Sequence, residues 1–452
     1  MKPTADTPQT DMNRAIVLRP LVGADGGARD YEARLLEAVG LAQALDLEIA
    51  FAEAAPLRQI HPRAYFGGGR VERLKEKAEE LGAGVVVIDA ALTPVQQRNL
   101  ETDIGAKVID RTGLILEIFG LRARTKEGKL QVELARQAYE RSRLVRTWTH
   151  LERQRGGLGK TGGPGETQIE LDRRQIADRI TRLKRELEDV RRTRGLQRKA
   201  RARAGLPAVV LVGYTNSGKS TLFNRLTQAG VLAKDMLFAT LDPTARQVRL
   251  PSGRAVIMSD TVGFISDLPH ELVEAFRATL EAVTEADLLI HVRDIAHPDS
   301  EQQKADVLSV LAQLSSESGD KSPPVLEAWN KIDQLDEATR SARLRRAEVA
   351  AEEGGQGALS PVAISAISGE GVEALLAAID RAAFAATRVI TLTLDPADAG
   401  RTRAQIAASG QILEESADEN GAITLRAELL VQDAARFAPP EPLPEHLRPA
   451  AE

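Results

Sequence analysis

Short apolar runs rich in β-branched residues alternate, along most of this 452-residue chain, with stretches whose apolar positions recur every three or four residues. Between Arg14 and about Gly120 the runs Ala15–Leu18, Leu47–Phe51, Val85–Ile88 and Lys107–Ile109 read as strands, with helical patterns over Tyr31–Leu45, Val71–Leu81 and Thr93–Thr102. That alternation predicts a small α/β unit with a mainly parallel sheet, because each parallel return needs a crossover. From about Lys129 to Arg203 the pattern becomes long charged helices, broken by the glycine-rich stretch Gly156–Gly165. Ile176, Ile180, Leu183, Leu187 and Val190 follow coiled-coil spacing, and Leu144, Trp148 and Leu151 supply a stripe before the loop, so the two helices are expected to pair antiparallel. Strand–helix alternation resumes from Leu206 to about Phe384. Val389–Leu394, Asp398–Ala408, Gly410–Leu413 and Ala422–Leu430 then read as strand, helix, strand and strand, a small α+β unit. Pro439–Glu452 is proline-rich and acidic and reads as disordered. The fold class is therefore multidomain α/β: an α/β unit over 1–128, a basic helical hairpin over 129–205, a nucleotide-binding unit with a mostly parallel sheet over 206–385, and the α+β unit over 386–452.

Charge changes this picture in one place. The formal net charge is only −5, yet Leu121–Arg203 carries roughly 24 basic against about 11 acidic side chains. A local basic excess on an acidic chain points to a polyanionic partner met by the hairpin. The glycine-rich tip has no side chains to bury, so it reads as a probe into RNA, with Arg153, Arg155, Gly157, Lys160, Gly162, Arg173 and Arg174 as candidate contacts. The chain has no cysteine, which excludes disulfides and thiolate metal sites and suits a reducing cytoplasm. No run of about 18 apolar residues occurs, so no membrane span is expected.

The chemistry is carried by four elements. Gly213-Tyr214-Thr215-Asn216-Ser217-Gly218-Lys219-Ser220-Thr221 matches G-x-x-x-x-G-K-[ST] between an apolar run, Pro207–Val212, and a helical pattern from Leu222. Glycines let backbone N–H groups approach phosphate, Lys219 adds a point charge, and Ser220 is a magnesium ligand. Asp260-Thr261-Val262-Gly263 ends a strand-like run, with Asp260 in the magnesium shell and the Gly263 N–H sensing the terminal phosphate. Asn330-Lys331-Ile332-Asp333 selects the base: a carboxylate only accepts hydrogen bonds, so Asp333 pairs with the N1–H and exocyclic amine of guanine, which adenine cannot match. Lys331 lies over the base plane, Asn330 braces the phosphate loop, and Ser365-Ala366-Ile367 closes over the guanine O6 with a backbone amide. Between the first two elements, Phe238–Thr244 reads as a mobile turn, with Phe238 at the nucleotide and Thr240 (Thr244 second) brought to magnesium and the terminal phosphate. The expected catalytic set is Lys219, Asn216, Thr240 and Gly263, and the expected metal ligands are Ser220, Thr240 and Asp260. A further glycine cluster, Gly67–Gly69, lacks dinucleotide spacing and reads as a turn; whether a second nucleotide binds there stays open.

These elements, together with the Gly156–Thr167 loop followed by Glu170-Leu171-Asp172-Arg173-Arg174, resemble the HflX family of ribosome-associated GTPases within the P-loop superfamily. The resemblance implies a cytosolic, Mg²⁺-dependent hydrolase of GTP to GDP that binds the large ribosomal subunit and its rRNA through the hairpin loop. It also implies splitting or rescue of stalled or idle ribosomes under stress, and an N-terminal unit that docks and regulates the GTPase. A monomer is expected. Phe264 stands where well-known small GTPases carry a water-orienting glutamine, so slow intrinsic hydrolysis completed by the ribosome is expected. Related GTPases with Asn at the position of Asn216 can use K⁺ in place of an arginine finger. Two other readings stay open here: an ATP-using RNA remodeller, and a non-enzymatic RNA-binding stress protein with structural nucleotide.

Overall fold

The computed structural model describes residues 11–22, 31–154, 164–203, 206–228, 237–238, 244–266, 282–318, 322–353, 359–385, 387–394, 396–417, 422–430, 434 and 436–437. The first sheet contains β1 (Asp11–Val22), β2 (Glu48–Leu57), β3 (Ala83–Ile88) and β4 (Lys107–Asp110), all parallel, in the order β2-β1-β3-β4. Its faces are filled by alternate side chains, as the pleat requires. Ile16, Leu18, Val86 and Ile88 pack under α2 (Gly68–Leu81) and α3 (Pro94–Ile104). Ala15, Val17, Val85 and Val87 pack on the other face with α1 (Tyr31–Gln43) and α4 (Arg111–Arg122). Helix α3 starts at Pro94 because Thr93 and Gln96 form a reciprocal capping box, and proline at the first helical position lacks only an N–H that would have had no partner.

Helix α4 buries Leu114, Ile115, Leu116, Ile118 and Phe119 and exposes only a narrow edge of Glu117, Gly120 and Leu121. Its buried face is wide because it is covered on several sides, by the sheet, by the long helices that follow and by the nucleotide-binding unit. Those helices are α5 (Lys126–Gln154) and α6 (Pro164–Arg203). They run antiparallel, with Arg179 of α6 paired to Glu133 of α5 at 3.2 Å and Leu144 sharing a cavity with Asp172 and Ile176. Ile180, Leu183 and Leu187 of the expected seam are buried, in one core with Val132 and Leu134 of the partner helix α5 and with the α4 side chains. The side chains of Trp148 and Leu151, and the tip loop, lie outside the described residues.

The second sheet contains β5 (Ala208–Val212), β6 (Thr244–Arg249), β7 (Ala255–Asp260), β8 (Leu288–Asp294), β9 (Val325–Asn330) and β10 (Val362–Ala363), in the order β10-β9-β8-β5-β7-β6. Only β6 is antiparallel. Helix α7 (Lys219–Thr227) follows β5, and α8 (Ser300–Ser318), α9 (Glu337–Glu353) and α10 (Val372–Ala383) follow β8, β9 and β10. The chain leaves β5 toward β7 on one side and toward β8 on the other, so the phosphate loop sits at the topological switch point, outside the strand ends.

The last unit pairs β11 (Thr387–Leu394), β12 (Gly410–Ala417) and β13 (Ile423–Leu430) antiparallel around β13, with α11 (Pro396–Ser409) packed on one face. Arg254, in the turn between β6 and β7, ties this sheet to the second. It pairs with Asp380 at 2.7 Å and with Glu428, and its guanidinium lies 3.9 Å from the Phe384 ring centroid.

Candidate nucleotide-binding site

The phosphate loop turns directly from β5 into the N-terminus of α7, so the first N–H groups of the helix face the concavity. Gly218 has φ +94°, and a Cβ there would fall 2.1 Å from Asn330 Nδ2, so glycine is required on both backbone and steric grounds. Lys219 is buried and donates to the Tyr214 carbonyl at 2.7 Å. Burial lowers its pKa to about 8, with Asp260 acting in the opposite sense. A triphosphate would bring the countercharge this ammonium lacks.

Ser220 Oγ donates to Asp260 Oδ2 at 2.7 Å, joining the loop to the end of β7. One hydroxyl and one carboxylate are hard oxygen donors, and Mg²⁺ characteristically takes one or two such ligands together with phosphate oxygens and waters. The donor set therefore fits Mg²⁺ held by Ser220 and Asp260, where the ion would offset charge on the phosphates. Thr240 lies outside the described residues, while Thr244 begins β6, opposite Asp260 in the ladder.

Asp260–Ser266 is folded onto the phosphate loop. The Phe264 N–H donates to Gly213 O at 3.0 Å and the Thr215 N–H to Phe264 O at 2.7 Å. A Cβ on Gly263 would meet Thr215 Cα at 2.9 Å and Lys219 Nζ at 3.1 Å, so only glycine fits this close to the loop. The Phe264 ring points into the core with Tyr214, Val212 and Leu289. It does not face the phosphates.

At the base end, Asn330 Nδ2 donates to Ser217 O at 2.8 Å and its Oδ1 accepts the Ala366 N–H at 2.9 Å, so one amide staples three motifs. Asp333 sits exposed in a 3₁₀ turn over Ile332–Gln334. Lys331 is held in the left-handed region at φ 67° and pairs with Asp294 at 2.7 Å. Asp294, the last residue of β8, is a site residue that sequence reasoning missed; its one signal was a carboxylate ending an apolar strand. Asn216 has φ 57°, a region asparagine tolerates, and it is exposed on a cavity of about 500 Å³ shared with α1, Asp294 and His297. Its side chain makes no hydrogen bond to the described residues.

Two expectations change. Phe238, expected at the nucleotide, is buried in the first unit's core, edge-on to Phe119 with ring centroids 4.7 Å apart. An apolar ring gains more from that pocket than from a solvated phosphate site. Tyr214, expected only as a loop position, belongs to a contact with the first unit. Its phenol donates to Glu37 of α1 at 2.8 Å and accepts the Ser266 N–H at 2.7 Å. Burial, then Glu37, holds its pKa above the usual range. Arg111, directly after β4, donates to Ser266 O at 2.7 Å and pairs with Glu37 at 2.8 Å and with Asp89. Burial disfavours the Arg111 charge, but Asp89 and Glu37 outweigh it and raise its pKa. Asp89 also accepts from Arg19 at 2.8 Å. Thus the carboxyl ends of β1, β3 and β4, the usual ligand crevice of such a sheet, hold the segment that follows Gly263.

Of the RNA candidates, Arg173 and Arg174 are exposed on α6. The Arg153 side chain, Arg155, Gly157, Lys160 and Gly162 lie outside the described residues.

Residues 32–120, 122–201 and 208–331 match the family models described as GTP-binding GTPase N-terminal, GTP-binding GTPase Middle Region and 50S ribosome-binding GTPase. The GTPase HflX of Magnetococcus marinus is 50% identical over 403 residues, covering 89% of this chain and 89% of that one. The chain belongs to the HflX family of GTPases. The Escherichia coli GTPase HflX is 43% identical over 382 residues, covering 84% of this chain and 86% of the relative. The crystal structure of SsGBP with GDP aligns at TM-score 0.47 and 25% identity, covering 82% of this chain and 98% of that one. As an HflX-family GTPase the chain hydrolyses GTP, and a Mg²⁺-assisted phosphoryl transfer to water needs no covalent enzyme intermediate. In that reaction Lys219 and the loop amides would position the phosphates, Ser220 and Asp260 would hold the metal, and Asn330 and Asp333 would admit the base. Among the described residues no helix is long and apolar enough to cross a membrane.

Proposed function

We propose that this GTPase is a guanine-nucleotide switch on the large ribosomal subunit, which splits or rescues stalled or idle ribosomes in the cytoplasm, with hydrolysis completed on the subunit. One observation carries the reading: Ile180, Leu183 and Leu187 of the basic hairpin share a hydrophobic core with Phe238, and with Val262 and Ile265 of the segment that follows Asp260. A close-packed core transmits displacement, so RNA bound along the hairpin would bias the segments that meet the terminal phosphate. The family description "50S ribosome-binding GTPase" supports rRNA as the polyanion. The four-part division at about 128, 205 and 385 assigns docking to the hairpin, chemistry to the second sheet and restraint of the switches to the first. Asp333 favours this reading over an ATP-using remodeller, since adenine would leave its carboxylate unmatched.

Phe264 points into the core, so no side chain at that position orients the attacking water. GTP turnover should rise on the order of a hundredfold on adding purified large subunits, the size of effect one added transition-state donor supplies. Unchanged turnover would remove the ribosome from the catalytic cycle. The Asn216 amide, exposed and without a hydrogen bond to the described residues, is the group that would hold K⁺ beside the phosphates. Turnover in K⁺ should exceed turnover in Na⁺ at matched ionic strength on the order of tenfold, and Asn216→Ala should erase the difference. Equal rates in the two salts would leave Asn216 a purely conformational residue.

A further inference from the structure

We propose that Arg225 is a positioning residue for guanine recognition, holding the Ser365–Ile367 loop so that a backbone N–H meets the O6 of the base. Arg225 lies outside every nucleotide motif, on α7 two turns beyond Lys219. Its Nε donates to Ala366 O at 2.7 Å and its Nη2 to Ile367 O. A planar guanidinium presents parallel donors in a fixed fork, so two successive carbonyls caught at once fix the loop's orientation as well as its distance.

The consequence follows from peptide geometry. The Ala366 carbonyl and the Ile367 N–H belong to one planar trans peptide and point in opposite directions. Drawing that carbonyl toward α7 turns the Ile367 N–H away from the helix. The neighbouring amides are engaged: Ala366 N–H with Asn330 Oδ1 at 2.9 Å, Ser368 N–H with Ser365 Oγ at 3.1 Å. Among the described residues the Ile367 N–H has no intramolecular acceptor. The Ile367 side chain is 66% exposed, unusual for an isoleucine and suited to the edge of a purine. Gly369 leaves the guanidinium its space, since a Cβ there would fall 2.5 Å from Arg225 Nη1. Asn330 holds the loop from the phosphate side and Arg225 from the helix side, so the amide facing the base is set by two anchors that arise far apart in the chain.

The inference rests on the guanine-site reading, and the test separates the two. Equilibrium binding of GDP and of 2-aminopurine riboside diphosphate, which lacks O6 and with it the N1–H, is measured on the full chain and on Arg225→Ala and Arg225→Lys. The wild type should prefer GDP. Arg225→Ala should weaken GDP about tenfold, the worth of one aligned hydrogen bond to the base, while changing the analogue less than about twofold. Arg225→Lys keeps the charge without the fork and should lose the same discrimination, which also covers the case in which the alanine variant fails to fold. Equal losses for both ligands, or undiminished discrimination in the variants, would overturn the role of Arg225. A wild type indifferent to O6 would overturn the base-site reading itself.

Discussion

Asp333→Asn is expected to lower GTP affinity by roughly two to three orders of magnitude and to create affinity for xanthosine triphosphate. The carboxylate accepts from the guanine N1–H and exocyclic amine, and each hydrogen bond to a charged group contributes about 1.5–3 kcal/mol. The asparagine amide presents a donor where the second acceptor stood, so the guanine amine faces an N–H, and the 2-oxo group of xanthine restores the match. Asp333 is exposed in a short 3₁₀ turn and its side chain supports no core contact, so folding should be spared. Competition between GDP and XDP for a fluorescent nucleotide measures the exchange. Retained guanine preference would mean that another group reads the base.

The second large effect concerns stability. Arg111→Ala should cost about 3–5 kcal/mol, because it leaves the Asp89 and Glu37 carboxylates without the cation between them, Asp89 almost fully buried. It also removes the donor to Ser266 O at 2.7 Å. Arg111→Met keeps volume without charge, and Glu37→Gln with it removes one of the stranded carboxylates, so the double variant should recover part of the loss. Urea denaturation measures the cost. Hydrogen exchange measures the second consequence: amides over 260–266 should exchange at least about tenfold faster in Arg111→Met, since the arginine's tie from Ser266 O to the first sheet is gone. Unchanged protection there would show that the contacts of Phe264 and Tyr214 hold this segment without Arg111.

Much of the fold was legible because its causes are local. Strands β1, β3 and β4 of the first sheet announce themselves as β-branched runs, β2 only as the apolar stretch Leu47–Phe51, and Thr93 with Gln96 marks the start of α3 three residues apart. Helix α4 was not legible as a separate element, since residues 114–119 are apolar except for Glu117 and carry no clear period; its covers come from three different parts of the chain. Of the expected hairpin seam Ile180, Leu183 and Leu187 are buried while Ile176 and Val190 are half-buried, and the buried three share their core with α4 as well as with the partner helix.

The sequence by itself determined the GTPase family and its chemistry, because the motifs that carry them are contiguous: nine residues from Gly213 match the phosphate-cradle pattern and four from Asn330 match the guanine-reading one. Spacing along one chain fixes such geometry directly. Only the tertiary structure decided what surrounds it. Phe238 looked like a nucleotide contact from its neighbours in sequence and became a core residue because Phe119 waits across the interface. Arg111 meets Ser266 across 155 residues, Tyr214 meets Glu37 across 177, and Arg225 meets Ala366 across 141. A buried arginine or carboxylate is costly alone and stable only when its partner arrives from another element, so its role cannot be read until the elements are packed together.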